Sequence, residues 1–235
     1  MGIGVLLPGG SMRLRDVAGL AAAAERAGAD GVYVVEAWRS GFVPLAAIAA
    51  ATSRVRLGTY VLNAYGRSPW LTGLAALDAD DLSDGRVEIG IGSGNRFTNR
   101  MYQGLETEAP LRKLRDYVEI FRRIVRARPG EVVSYRGEIH SISDWRPQAE
   151  PVRDSIPVLL AATQPRMRRL AAEVADAVAL GSLISQEHLA GPIRTDVEAG
   201  AAAGGRPPGS VRVMVCAFVA ADADVEQARA AARQA

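Results

Sequence analysis

Short apolar runs alternate along the whole chain with alanine-rich segments whose apolar residues recur at helical spacing. In segments 13–28 and 111–126, for example, the apolar residues fall on one helical face. Alternating β and α elements at this spacing predict parallel strands joined by crossover helices. The seven runs with the length and composition of buried strands are 3–7, 31–35, 55–61, 87–91, 156–161, 177–180 and 211–219.

The alternation is interrupted between about 130 and 150. Two runs of alternating polar and apolar residues lie on either side of Arg136 and Gly137, which is typical of a β-hairpin. We expect this hairpin to be an insertion in a single domain that spans 1–235.

Seven strands leave two architectures open, an open doubly wound sheet and a (β/α)8 barrel that lacks its last strand. The chain has 235 residues, whereas a complete barrel typically needs about 250. It also stops inside a helical segment, 224–235, so that an eighth strand is missing. A barrel without one strand exposes two unpaired edges, and truncation at the C-terminus is the expected explanation.

Composition narrows the range of partners. A net charge of +2 with mixed signs provides no basic stripe, so we expect a small-molecule substrate, no nucleic acid and no acidic membrane surface. There is no signal-peptide pattern and no apolar run near the roughly 18 residues of a membrane span, which favours a cytoplasmic protein. The single cysteine, Cys216, lies in an apolar run and is expected to be a packed thiol.

Three segments, taken in order, resemble the bacterial-luciferase-like monooxygenase family. They are Leu57-Gly-Thr-Tyr-Val-Leu-Asn63, Leu82-Ser-Asp-Gly-Arg-Val-Glu-Ile-Gly-Ile-Gly-Ser-Gly94 and Ile156-Pro-Val-Leu-Leu-Ala-Ala162. The resemblance spans nearly the whole chain and is strongest to the branch that uses the deazaflavin coenzyme F420, including methylenetetrahydromethanopterin reductase-like proteins. It implies a luciferase-type (β/α)8 TIM barrel with an insertion before the fifth strand and, in this chain, without the last strand and helix. The site is then expected at the carboxyl ends of the strands.

The resemblance also implies residues that hold the cofactor ring. After the third strand the family has a non-prolyl cis peptide, which corresponds here to Tyr60 and Val61, followed by Asn63. After the fourth strand, the loop of Ser93, Gly94 and Asn95 is implied to contact the cofactor. Taken alone, Gly90-x-Gly92-x-Gly94 does not match a dinucleotide fingerprint, because the next clear helix is expected only near residue 110. A tight turn without a ligand is the alternative.

The phosphate of the cofactor is implied to bind after the next two strands. Ala161, Ala162 and Thr163 precede Pro165, which suits a first helical turn, and Gly181 with Ser182 precedes another helix. Free N–H groups at a helix start favour an anion. Ordinary helix capping would explain either segment alone.

Two further candidates follow the second strand, where Glu36 is expected to polarise the ring or handle a proton and Trp38 to form a pocket wall. Many relatives have a histidine after the acidic residue, but this chain has Ala37. The alternatives are that Glu36 caps the next segment and that Trp38 packs in the core. No metal site is expected, because His140 and His188 lie far apart without ligand spacing.

The leading hypothesis is an oxidoreductase that transfers a hydride between coenzyme F420 and a small organic substrate. One alternative is a monooxygenase dependent on flavin mononucleotide (FMN), which uses O2 and reduced flavin from a partner reductase. Another is a degenerate, non-catalytic family member. A homodimer is also expected, with the alanine-rich faces at 18–29 and 43–52 as candidate interfaces.

Overall fold

Seven parallel strands form one sheet whose order follows the chain. The computed structural model describes residues 2–7, 10 and 12–234. The strands are β1 Gly4–Leu7, β2 Gly31–Val34, β3 Arg56–Thr59, its short continuation β4 Leu62–Asn63, β5 Val87–Gly92, β6 Val133–Arg136, β7 Ser141–Trp145, β8 Val158–Ala161, β9 Ala177–Leu180 and β10 Arg212–Val215.

The strand order distinguishes between the two predicted architectures. The main sheet runs β1-β2-β3-β5-β8-β9-β10, with β4 also paired to β5, and every pairing in it is parallel. A doubly wound sheet would reverse its order part-way, whereas this sheet curls in one direction as a barrel does. Within the described ranges β1 and β10 do not pair with each other, so the barrel is open there.

Helices cover the outside of the sheet. They are α1 Leu14–Arg26, α2 Phe42–Ala51, α3 Pro69–Leu82, α4 Arg96–Gln103, α5 Pro110–Arg126, α6 Pro165–Val174, α7 Gln186–His188, α8 Arg194–Ala203 and α9 Val225–Gln234, with a π-helical turn at Leu189–Ile193. Proline is the first residue of α3, α5 and α6. An N–H at this position has no acceptor within the helix, so its absence in proline costs no hydrogen bond. Gly28, just after α1, has the left-handed φ of 89° expected of a C-cap.

The core has an outer and an inner layer. The outer layer lies between sheet and helices, and α5 contributes Leu114, Tyr117 and Phe121, all fully buried and spaced for one helical face. Full burial of one such side chain stabilises the fold by about 1.5–3 kcal/mol. The inner layer, inside the barrel, includes Tyr33 and Leu159. The hairpin of β6 and β7 lies between α5 and β8, the fifth barrel strand, as predicted.

Two local predictions were wrong. The helix expected near 110 is present as α5, but an unpredicted helix, α4, comes before it; Asn95 caps α4 and Gly104 ends it in the left-handed conformation. The last strand ends at Val215, so that Cys216 lies beyond it and is only half-buried. Helix α4 has only eight residues, and β10 is an edge strand with a partner on one side only, so its apolar run 211–219 is longer than the strand itself.

The two alanine-rich helices proposed as a dimer interface, α1 and α2, pack against one another. Each still has one exposed large apolar residue, Leu20 and Val43 respectively. The homodimer therefore stays a prediction.

One carboxylate on α1 ties this helix to the segment that leads into β3. The side-chain oxygens of Glu25 accept hydrogen bonds from the backbone N–H groups of Ser53, Arg54 and Val55 at 2.7–3.1 Å. The hydrogen bond from the Val55 N–H lowers the pKa of Glu25 most, and the bonds from Arg54 and Ser53 add to it. Together they bring the pKa to about 2, although burial acts in the opposite direction.

Replacement of Glu25 with glutamine is expected to destabilise the protein at neutral pH by about 1 kcal/mol, a value discounted for solvent exposure. Because the folded-state pKa lies below the unfolded one, the carboxylate stabilises the fold above the unfolded pKa of about 4.3 and loses this effect as the pH falls toward 2. Urea unfolding at pH 7 and pH 3 measures the difference. An equal effect of the substitution at both pH values would contradict the assignment.

Candidate functional site

The strand pair β3/β4 and β5 contains a bulge at the carboxyl end of the barrel. Pairing ends one residue before Thr59 and resumes at Leu62, so three residues of one strand face two of the other. The Thr59 hydroxyl replaces the missing ladder bonds, since it accepts from the Gly90 N–H and donates to the Gly90 carbonyl, both at 2.9 Å. A single side chain thus holds the bulge in place.

The predicted cis peptide lies inside this bulge, between Tyr60 and Val61. The Tyr60 hydroxyl reaches across the barrel and donates to the Leu180 carbonyl at 2.5 Å, and its ring meets Tyr33 edge-on at 6.3 Å. Burial raises the pKa of the Tyr60 phenol, so it stays a neutral donor. The backbone at Tyr60 and Val61 is therefore anchored from inside the barrel.

Two glycines of β5 make room for the bulge. A Cβ on Gly90 would lie 2.0 Å from the Thr59 carbonyl oxygen, and a Cβ on Gly92 would lie 2.9 Å from Val61 Cγ2 and 3.1 Å from the Ala161 Cβ. Any larger residue would displace the backbone or Val61. The glycine repeat thus has a clear packing role, which the sequence pattern alone did not reveal.

The loop after β5 is shaped by amide side chains. A Cβ on Gly94, which has φ +66°, would lie 2.6 Å from the Asn63 amide. That amide donates to the fully buried Asn99 at 2.6 Å, and Asn99 in turn donates to the Ser93 carbonyl at 2.9 Å. Asn63 and Ser93 are therefore joined through Asn99, a residue that the sequence analysis missed because it lies on the unpredicted α4.

Asn95 has an internal partner as well, because its side chain accepts from the Phe97 N–H at 2.8 Å and caps α4. The loop of Ser93, Gly94 and Asn95 thus opens a helix. An N–H-rich helix start is compatible with a cofactor contact, but the contact itself stays a prediction.

Glu36 is a connecting residue. One carboxylate oxygen accepts from the Gly41 N–H and the other from the Asn63 N–H, both at 3.1 Å. The bond to Gly41, the residue that precedes α2, agrees with the alternative that Glu36 caps this segment. Its catalytic role stays a prediction, and any such role has to share the carboxylate with these two bonds.

Trp38 is not a core residue, because 78% of it is exposed. Its ring lies near Gly10, where a Cβ would be 3.6 Å away. This exposed indole at the carboxyl end of β2 is compatible with the predicted pocket wall.

The segment after β8 leads into α6. Ala162 is buried and donates its N–H to the Ala179 carbonyl at 2.9 Å, whereas Thr163 is exposed. Gln164 is the N-cap and no side chain caps the helix, so the hydroxyl of Thr163 has no capping role. Among the described residues, no acceptor bonds the N–H groups of Arg166 and Met167, which leaves them open to a ligand.

A buried ion pair supports this helix start. The Arg168 guanidinium donates to Asp196 of α8 at 2.6 and 3.0 Å and also to the Thr163 carbonyl. Burial alone would raise the pKa of Asp196, but the bonds from Arg168 and Arg169 outweigh it and hold the pKa below its usual value. No sequence signal pointed to this pair, because its members are 28 residues apart on two helices.

Gly181 and Ser182 follow β9 on the adjacent strand. Nothing lies within 4 Å of a Cβ built on Gly181, so the space above it is open. The alternative, that Ser182 caps the next helix, was wrong, since α7 begins only at Gln186 and its cap is Ser185, which accepts from the His188 N–H at 3.1 Å. A phosphate contact at Gly181 and Ser182 stays a prediction.

The bulge at Tyr60 and Val61 and the loops 92–95, 161–163 and 181–182 thus lie at the carboxyl ends of neighbouring strands. Val61 is central, because the Cβ positions built on Gly90 and Gly92 both fall against it, and the Ala161 Cβ lies beside the one on Gly92. Within the described part of the chain, no group of three or more His, Cys, Asp or Glu residues is arranged to hold a metal ion. No helix in that part is long and apolar enough to cross a membrane.

Comparison with known proteins agrees with this geometry. Residues 1–235 match the luciferase-like monooxygenase family. The chain belongs to this family. Its α/β barrel is accordingly a luciferase-like TIM barrel, and the family is one of oxidoreductases.

Three similar proteins are informative. A 5,10-methylenetetrahydromethanopterin reductase from Archaeoglobus fulgidus is 31% identical over 212 residues, which cover 89% of this chain and 61% of the reductase. A putative coenzyme F420-dependent oxidoreductase from Mycobacterium tuberculosis is 39% identical over 169 residues, covering 67% of this chain and 48% of that protein. The structure of the coenzyme F420-dependent tetrahydromethanopterin reductase from Methanopyrus kandleri superposes with a TM-score of 0.86 at 25% identity, over 98% of this chain and 70% of that one.

This luciferase-like chain therefore spans about half to three fifths of the length of these two curated relatives.

Proposed function

We propose that this protein is an oxidoreductase that transfers a hydride between coenzyme F420 and a small organic substrate. The observation that carries the proposal is the bulge at Val61, packed against two β5 glycines and close to the open N–H groups at the start of α6 and the open space at Gly181. Similarity to an F420-dependent oxidoreductase supports the choice of cofactor.

The shape of the surface at the bulge suits a flat ring system. The missing Cβ atoms of Gly90 and Gly92 let Val61 occupy the carboxyl end of the barrel, and the Tyr60 hydroxyl fixes the adjoining backbone from inside. A rigid apolar surface of this kind orients a ring and excludes water from one of its faces. When bound, the deazaflavin supplies the carbon that accepts or donates the hydride.

The chain also fits a phosphate group beside that surface. The open N–H groups of Arg166 and Met167 lie at the positive end of the α6 dipole. Gly181, on the adjacent strand, leaves space in which nothing would meet a Cβ. The buried Arg168–Asp196 pair holds the preceding loop through the Thr163 carbonyl, so this anion site is organised before a ligand arrives.

Glu36 acts by positioning. Its two N–H bonds link the loop after β2 to Asn63 beside the bulge. An orienting role of this kind needs few acid–base groups, which is consistent with hydride transfer.

The proposal is tested by titration of the purified protein with coenzyme F420 and, separately, with FMN, followed by tryptophan fluorescence and cofactor absorbance. We expect tight binding of F420 and weak binding of FMN. A preference for FMN would favour the monooxygenase that works with a partner reductase, which is the second candidate because the family description names monooxygenases. Binding of neither would favour a non-catalytic family member.

Replacement of Gly181 with aspartate is expected to weaken cofactor binding by about tenfold or more, because a carboxylate would then face the phosphate. The open space at this position and its ordinary φ allow the new side chain without a clash. Gly181→Asn is the matched control, since asparagine has the same size but no charge. Equal affinity of the two variants at low salt would refute the placement of the phosphate at Gly181.

A further inference from the structure

A cavity lies at the amino-terminal end of the strands, opposite the proposed cofactor site. It has a volume of about 390 Å³ and is lined by the starts of β3 and β10, the segments before β8 and β9, and the last turns of α5. This is large enough for a small metabolite. The cofactor site proposed above is at the carboxyl ends, so the two sites are separate.

The cavity is strongly cationic. Five arginines and two acidic residues line it, which gives a formal charge of +3, since five minus two is three: Arg56, Arg122, Arg126, Arg206 and Arg212 against Glu88 and Asp176. The end of α5 adds only about half a negative charge, too little to balance the excess.

Both carboxylates are already engaged. Asp176 accepts from Arg122 at 3.0 Å and from the Val158 N–H at 2.8 Å. Glu88, which is buried, accepts from the Tyr33 hydroxyl and from Arg212 at 2.5 Å. These bonds hold two of the arginines in place and leave no acidic side chain of the cavity for the others.

Three donor groups remain without partners. Within the described ranges, neither Arg56 nor Arg126 forms a salt bridge or a side-chain hydrogen bond, although both line the cavity. The Arg122 Nε is inaccessible to solvent and also has no acceptor among the described residues. The Arg122 Nε is thus a buried donor without a partner, whereas the exposed guanidinium groups of Arg56 and Arg126 are free to contact a ligand in the cavity.

From this arrangement we infer that the cavity binds a small phosphate-bearing anion, in a site distinct from the cofactor site. Guanidinium groups bind phosphate oxygens in a bidentate manner, and an excess of three positive charges suits a compact polyanion better than a single carboxylate. The hydroxyls of Ser155 and Ser210, which also line the cavity, add neutral donors.

The inference is tested by calorimetric titration with pyrophosphate, orthophosphate and citrate at constant ionic strength. Wild-type protein is compared with the double variant Arg56→Gln, Arg126→Gln, whose two exposed side chains make no bonds that the fold requires. Arg26→Gln, an exposed arginine on α1 away from the cavity, is the matched control.

We expect pyrophosphate to bind the wild type and Arg26→Gln with affinities within twofold, and the double variant at least tenfold more weakly. Thermal melting with and without pyrophosphate shows that the double variant remains folded. Absence of binding to the wild type, unchanged affinity in the double variant, or tighter binding of citrate than of pyrophosphate would each overturn the assignment.

Discussion

Replacement of Gly90 with alanine is expected to destabilise the protein by about 3 kcal/mol or more, because the new Cβ would meet backbone and not a mobile side chain. It would lie 2.0 Å from the Thr59 carbonyl oxygen, so either β5 or the bulge has to move. The bulge is held by the Thr59 bonds to Gly90 itself, and the shift therefore breaks them as well. For a chain of this size we expect the melting temperature to fall by about 10 °C.

The same substitution is expected to abolish F420 binding at temperatures where the variant is still folded, since Val61 moves with the bulge.

Two control variants separate a local steric effect at the bulge from a general effect of replacing glycine. Gly19→Ala, in the middle of α1 with open space around it, should stabilise the protein by roughly 0.5–1 kcal/mol. Gly92→Ala would meet Val61 and Ala161 side chains, so Val61→Ala should partly rescue it but should not rescue Gly90→Ala. Rescue of both variants would show that the bulge backbone is not the obstacle.

Replacement of Arg168 with methionine is expected to cost about 3 kcal/mol at pH 7, because it leaves the Asp196 carboxylate buried with a single partner. Both members of the pair are almost inaccessible, at 4% and 6% side-chain exposure. Arg169→Met is the matched control, since Arg169 bonds the same carboxylate at 2.9 Å from a side chain that is 58% exposed. The control should lose less than about 1 kcal/mol.

The pH dependence of the stability loss in Arg168→Met shows whether the lost charge pair causes it. Bonding to Arg168 contributes to the lowered pKa of Asp196, so the carboxylate stabilises the wild type above its unfolded pKa and less as the pH falls through the folded value. The stability difference between wild type and Arg168→Met should therefore be largest near pH 7 and smaller at pH 3, where a protonated Asp196 needs no cation. The double variant Arg168→Met, Asp196→Leu should recover part of the loss. Denaturant unfolding at the two pH values measures both effects. A loss that is independent of pH would point to packing instead of charge.

The substitutions of Gly90 and Arg168 both concern the proposed cofactor site. Gly90 shapes the surface proposed for the ring, whereas Arg168 holds the Thr163 carbonyl beside the proposed phosphate position. Binding measurements on both variants would show whether the ring surface or the anion site contributes more to affinity.

Much of the architecture was predictable because apolar periodicity is a local property. The strand positions, the hairpin and the helix α5 follow from runs of buried residues and from prolines at helix starts. The cis bond and the positions after β5, β8 and β9 came from resemblance. Helix α4 was not predicted because it has only eight residues, its apolar residues Phe97 and Met101 are exposed, and its buried Asn99 gives no apolar signal.

The sequence by itself determined the alternation of strands and helices, the glycines of β5 and the charge balance that disfavours nucleic acid. Only the tertiary structure decided that Gly90 and Gly92 leave room for Val61 and that both carboxylate oxygens of Glu36 accept hydrogen bonds from backbone N–H groups. It also decided that five arginines line one cavity at the amino-terminal end of the barrel. The physical reason is the range of the interactions. Periodicity acts between residues three or four positions apart, whereas a steric contact or an ion pair depends on chain segments that meet only once the sheet has curled.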